Sequence, residues 1–214
     1  MSFSPSLLPQ IIQSIATIIE TNAEEVTALD QAIGDGDHVT NLQRGIQALI
    51  KESDAISLLN WADAFQKIGM IAMSTIGGAS GSLYGTLFIA MSKAAGDQPV
   101  TLQHFPEVFA QGVEAVKKRG KADAGEKTML DVHIPVSEYL QQAATDSLVM
   151  ADLLEQIKQV AIEGVESTRE MIATKGRASF LGERSKGHID AGARTSQLMI
   201  CAIADVMIEH STPT

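Results

Sequence analysis

Apolar residues recur at helical spacing along nearly the whole of this chain. Runs with i, i+3, i+4 recurrence follow one another, and no stretch sustains the strict alternation that marks a half-buried strand. Eight helices are expected, over residues 5–28, 39–52, 58–75, 80–95, 104–119, 127–142, 149–173 and 192–210. Pro5 suits a first turn, Gly96 a helix end, and Pro135 in the sixth segment implies a kink or a later start. A chain of 214 residues removes roughly 70% of its unfolded surface from water, so a single domain over residues 1–214 is expected.

The links between these segments are of two kinds. Residues 51–57, 96–103 and 143–148 look like ordinary polar turns, whereas the loops after the first, third, fifth and seventh helices are rich in Gly, Asp, Ser and basic residues. Short links favour antiparallel neighbours. The expectation is therefore an all-α, eight-helix, antiparallel up-and-down barrel or bundle with the four unusual loops at one end. The N-termini of the second, fourth, sixth and eighth helices then face that end, with free N–H groups and partial positive charge that attract phosphate.

A formal net charge of −10 argues against sequence-independent binding to nucleic acid or to an anionic membrane, both of which need a positive surface. Nine of the sixteen Lys and Arg lie in residues 117–127 and 175–186, where they can hold an anion locally. The single Cys201 cannot form an internal disulfide, and its apolar neighbours mark it as a small buried hydrophobe. The N-terminal apolar run is broken by Gln10, Gln13, Ser14 and Glu20 and follows no Lys or Arg. It is expected to be neither a signal peptide nor a membrane span, and the protein to be cytoplasmic.

The first loop places Asp30, Asp35 and Asp37 within eight residues, spaced by Gly34 and Gly36. Such a cluster repels itself unless a cation neutralises it, and magnesium, which takes carboxylate, phosphate and water oxygens, is the natural occupant. Calcium competes, although the downstream Glu of an EF-hand loop is missing; capping of the next helix by Asp37 is the plain alternative. The second loop, Gly77-Gly78-Ala79-Ser80-Gly81-Ser82, lets phosphate approach the backbone, with close helix packing at Gly81 and Gly85 as the alternative. In the third loop Gly120 and Met129 suit a nucleotide base, with an ordinary core role for Met129 as the alternative. The fourth loop carries Arg177, suited to countering charge on a transferring phosphoryl group or to a surface salt bridge. His38 is placed to touch a phosphate or a metal-bound water, and no nucleophile is paired with a base.

With these loops set out, the chain resembles the nucleotide-binding L subunit of dihydroxyacetone kinase over essentially its whole length. The likeness rests on Gly34-Asp35-Gly36-Asp37-His38 with Asn41, Gly77-Gly78-Ala79-Ser80-Gly81, Arg119-Gly120-Lys121-Ala122 with Lys127-Thr128-Met129, and Lys175-Gly176-Arg177-Ala178-Ser179 with Leu181-Gly182-Glu183-Arg184-Ser185. It implies ADP (or ATP) and two magnesium ions at one end of the barrel, with Asp30, Asp35 and Asp37 on the metals. His38, Asn41, Ala79 and Ser80 would line the phosphates, and Gly120, Met129, Arg177, Asp190 and Gly192 would complete the nucleotide site. Val39, Thr40 and Ala191 count with them as nucleotide-binding positions, although the family usually has glycine in place of Val39 and commonly proline in place of Ala191.

The same resemblance implies partners: a K subunit that holds dihydroxyacetone covalently through a histidine, and a phosphocarrier M subunit that draws on phosphoenolpyruvate to recharge a permanently bound ADP. Asn41 leans toward that coenzyme form rather than toward relatives that exchange ADP for ATP. The expected activity is phosphoryl transfer to a small hydroxyketone, with Arg177 in the catalytic role. A nucleotide-binding regulator without turnover, an ATP-exchanging subunit and metal-dependent hydrolysis are the alternatives.

Overall fold

The first segment of the computed structural model, which describes residues 4–144 and 149–211, is not one helix. A 3₁₀ turn at Pro5–Leu7 leads into α1 (Leu8–Thr21), the chain bends at Asn22, and α2 (Ala23–Ile33) follows. Asn22 Nδ2 donates to the Ile18 carbonyl at 2.8 Å, competing with its own backbone N–H for that oxygen. This local competition is what makes Asn a poor residue for a helix interior. The continuation as α2 runs five residues beyond the expected end and puts Asp30 on helix.

The remaining elements are α3 (His38–Ser57), α4 (Trp61–Thr75), α5 (Gly78–Ala95), α6 (Phe105–Gly120), α7 (Leu130–Ala143), α8 (Met150–Ser167) and α9 (Ala191–Ser211). Nine α-helices are thus formed among the described residues where eight were expected. The polar stretch 51–57 is helix because Ser53 and Ser57 bond back to the carbonyls of Ile50 and Asp54 instead of opening a turn. α4 starts three residues late, where the Asn60 side chain accepts from Asp63 N at 2.9 Å. α7 takes the later start, with Pro135 in its interior. α8 gives way to a 3₁₀ turn, Thr168–Glu170, and part of the expected fourth loop winds into 3₁₀ helix at Arg177–Ser185. Of the expected 143–148 turn, residues 145–148 lie outside the described residues.

Each helix from α3 to α9 packs on the next, α1 packs on α3, and α9 returns to α1, so the order of neighbours closes on itself. The all-α class holds. One apolar cluster, including Val26, Leu42, Leu87, Val108, Val116 and Leu198, joins most of the helices; a second, with Val132, Val136 and Ala161, lies between α7, α8 and α9. Small residues set the closest approaches: a Cβ on Gly81 would stand 2.0 Å from the Ile76 carbonyl oxygen, and one on Gly85 2.9 Å from Met73 Cβ. The packing reading of these two glycines is therefore correct, and it accounts for the tight seam between α4 and α5. Gly164 of α8 likewise lies against the Asp131 carbonyl, the acceptor for which Pro135 has no N–H.

Among the described residues α9 alone is long and apolar enough to cross a bilayer, and half of that apolar window is buried inside the fold. Cys201, expected to be buried, is half-buried and 3.1 Å from Gln197 Nε2.

Candidate functional site

The four unusual loops meet at one end. His38 Nδ1, beside the first loop, lies 3.1 Å from Ser80 Oγ of the second. Arg177 Nη2 of the fourth lies 2.8 Å from Asp35 Oδ2 of the first. Arg119 Nε donates to Ser82 Oγ at 2.8 Å, tying the third loop to α5. Lys127 Nζ donates to the carbonyls of Thr168 and His188, and Thr174 Oγ1 donates to Glu126 at 2.9 Å, tying the third loop to the fourth.

The acidic triplet forms as its spacing implies. Asp30 projects from the last turn of α2, and Gly36, at φ +76°, lets the chain reverse so that Asp35 and Asp37 face it. One carboxylate oxygen from each of the three lies within 4.8 Å of the other two. At an effective dielectric of ~20, two such charges repel by about 3 kcal/mol. Arg177 meets only Asp35, and its own side chain is 70% exposed; a divalent cation among the three oxygens offsets the repulsion more fully, and the all-oxygen donor set fits magnesium.

Capping does not explain the cluster as expected. Asp37 occupies the N-cap position of α3 yet makes no side-chain cap, while Asp30 Oδ2 accepts from His38 N at 3.1 Å. The α5 N-terminus also lacks a side-chain cap. Two helix ends with unspent N–H groups thus flank the triplet.

His38 is held at both ring nitrogens, by Ser80 and, at 2.9 Å, by Thr195 Oγ1 on α9. Burial lowers its pKa from the ordinary histidine value, and the charges of Asp30 and Asp37 pull the other way. Val39 is 3% exposed, its side chain in the main core and its backbone in the first turn of α3, so the branched residue enters without strain; Thr40 and Ala79 are exposed. Asn41 is buried against the glycine turn: its Oδ1 accepts from Arg44 Nη2 at 2.8 Å and would stand 2.6 Å from a Cβ on Gly77.

Met129 lies in the main cluster, and a Cβ on Gly192 would reach it at 3.8 Å and Asp190 Oδ2 at 3.1 Å, so these three adjoin. Gly120 ends α6 beside Leu83 and Ala122. Ala191 is buried as the first residue of α9, whose N-terminus is capped where Asp190 Oδ2 accepts from Ala193 N at 2.8 Å. Burial pushes the Asp190 carboxyl up to about 6, against the N–H bond and the Lys127 charge.

Several residues of this end carry no signal in local spacing. Lys127 is 1% exposed at φ +61°, with its ammonium on two carbonyls, and burial lowers its pKa. Asp131 accepts from Gly125 N and Thr128 N and so shapes the third loop. Thr195 and Ser196 are buried hydroxyls on α9. Part of the basic concentration is spent internally: Lys117 pairs with Glu114 and Asp123, and Lys175 with Glu126.

The fold and this end of it define a class: a closed ring of helices with a cation-ready acidic triplet beside two helix N-termini. Residues 32–205 match the DAK2 domain, and the chain belongs to that family. It is 42% identical over 185 residues to the ADP-binding subunit DhaL of PEP-dependent dihydroxyacetone kinase 1 from Listeria innocua, covering 86% of this chain and 88% of that relative. It is 38% identical over 205 residues to the corresponding Escherichia coli K12 subunit, covering 95% of this chain and 98% of the relative. The solved dihydroxyacetone kinase of C. freundii, in complex with AMP-PNP and Mg2+, has the same fold, with a TM-score of 0.73 at 23% identity. That match covers 96% of this chain and 34% of the larger kinase.

Proposed function

We propose that residues 1–214 act as one ADP- and magnesium-binding domain, the L-type subunit of a dihydroxyacetone kinase. It passes a phosphoryl group from bound nucleotide to dihydroxyacetone, or a related small hydroxyketone, held on a separate K subunit. The observation that carries this reading is the gathering of three carboxylate oxygens within 4.8 Å beside the N-termini of α3 and α5, neither capped by its own N-cap residue. Asp30, Asp35 and Asp37 would hold two magnesium ions, which supply charge neutralisation for the diphosphate and the transferring group. Backbone N–H groups of Val39, Thr40, Ala79 and Ser80 would face the phosphates, with the His38 ring and the Asn41 side chain beside them. Met129, Gly120, Asp190, Ala191 and Gly192 close the remaining side. With cations on the triplet, Asp35 no longer needs Arg177, whose exposed guanidinium is then available to the phosphoryl group.

The kinship with ADP-binding subunits of PEP-dependent kinases supports a nucleotide that stays bound as coenzyme and is recharged by an M-type phosphocarrier, in the cytoplasm. The test is mass spectrometry and nucleotide titration of gently purified protein. Stoichiometric ADP is expected with magnesium present, lost on chelation and in Asp35→Asn, together with transfer in an assay coupled to a K subunit. An Asp35→Asn protein that retains ADP and activity removes the triplet from the mechanism.

A further inference from the structure

His38 is gripped between two hydroxyls, and the bonding around it assigns their protons. Thr195 Oγ1 lies 3.2 Å from the Gly192 carbonyl oxygen, an atom that can only accept, so the single Thr195 proton goes there. This back-bond to a preceding carbonyl is habitual for Thr in a helix. Toward His38 Nε2, at 2.9 Å, Thr195 then offers a lone pair, and Nε2 must carry the ring hydrogen. Nδ1 of the neutral ring is therefore bare, and it accepts the proton of Ser80 Oγ at 3.1 Å.

We infer that Thr195 is a positioning residue: relayed from the Gly192 carbonyl, it imposes the Nε2–H tautomer and the rotation of His38, and through Nδ1 it fixes the Ser80 hydroxyl at the mouth of α5. Thr195 is wholly buried, so its hydroxyl acts through His38. The consequence for binding rests on the function proposed above. A diphosphate reaching the N-termini of α3 and α5 meets a His38–Ser80 pair already ordered, and less conformational freedom is lost on binding.

Thr195→Val removes the hydroxyl at nearly constant volume, and Thr195→Ser restores it. Long-range ¹⁵N–¹H NMR on the ligand-free protein is expected to show His38 protonated at Nε2 in the wild type and in Thr195→Ser, and a shift toward Nδ1–H or a mixture in Thr195→Val. In the presence of magnesium, Thr195→Val should bind ADP roughly tenfold more weakly, the equivalent of one hydrogen bond, with recovery in Thr195→Ser. A merely structural role for Thr195 leaves the tautomer unmoved. A wild-type ring protonated at Nδ1, a valine variant with an unaltered tautomer, or an altered tautomer without weaker ADP binding overturns the inference. A wild-type protein that binds no nucleotide yet shows the Nε2–H ring defeats the proposed function instead, because the tautomer is read without ligand.

Discussion

His133 offers the sharpest test of the interior. It lies on α7, 4% exposed, with its ring 5.9 Å from Phe109 and 6.5 Å from Tyr84, and its buried Nδ1 has no hydrogen-bond partner. Burial lowers its pKa to about 4 from 6.5. Between those values the unfolded chain binds more protons than the folded one, so stability rises with pH through this window and is lost as pH falls. With 1.36 kcal/mol per unit, moving from pH 8 to pH 5 removes about 2 kcal/mol through this one group. His133→Leu abolishes the titration at similar volume and also removes a buried nitrogen whose desolvation costs about 1–3 kcal/mol. At pH 8 the variant is expected to match or exceed the wild type, and at pH 5 its advantage should widen by about 2 kcal/mol. Urea unfolding followed by circular dichroism, in chelator so that no ligand contributes, measures both gaps. Equal gaps at the two pH values would refute the claim that His133 is buried neutral.

Asp190 has the opposite sign. Its carboxyl, pushed up to about 6 from 3.8, keeps its proton longer in the folded state, so its contribution is fully present below pH 3.8 and lost as pH rises through 6, by up to about 3 kcal/mol. Asp190→Asn keeps an acceptor for Ala193 N and should gain on the wild type between pH 4 and pH 7; parallel stability profiles in chelator would rule this out. Lys127→Met leaves the Thr168 and His188 carbonyls without their ammonium donor, for a loss of about 3 kcal/mol, or roughly 10 °C in Tm. An unchanged melting temperature would show that these bonds do not hold the third loop to the fourth.

Helical class was readable because a 3.6-residue period is a local property, carried by residues such as Leu42, Ile46 and Ile56 whatever they pack against. Helix ends were not, because they turn on which of two local bonds prevails. Ser53 and Ser57 look like turn formers and instead bond back into α3, while Asn22 breaks what reads as one continuous helix. Asp37 was a reasonable cap by position, yet Asp30, carried forward by the unforeseen α2, reaches the His38 N–H first. The basic windows read as anion sites because sequence shows charge without its partner, and Lys117 and Lys175 turn out to be paired locally.

By itself the sequence determined the all-helical class, the acidic triplet, and the gathering of four glycine-bearing loops at one end, since each follows from neighbours within a few residues or from the parity of short links. Closure of the ring decided the rest. His38 meets Thr195 across 157 positions and Arg194 meets Glu25 across 169, contacts that exist only because α9 packs back on α1 and α2. Lys127 is buried rather than solvated for the same reason: the fourth loop folds over it and supplies two carbonyls in place of water. No local pattern encodes such partners, because the free energy that brings them together is the burial of apolar faces elsewhere in the chain.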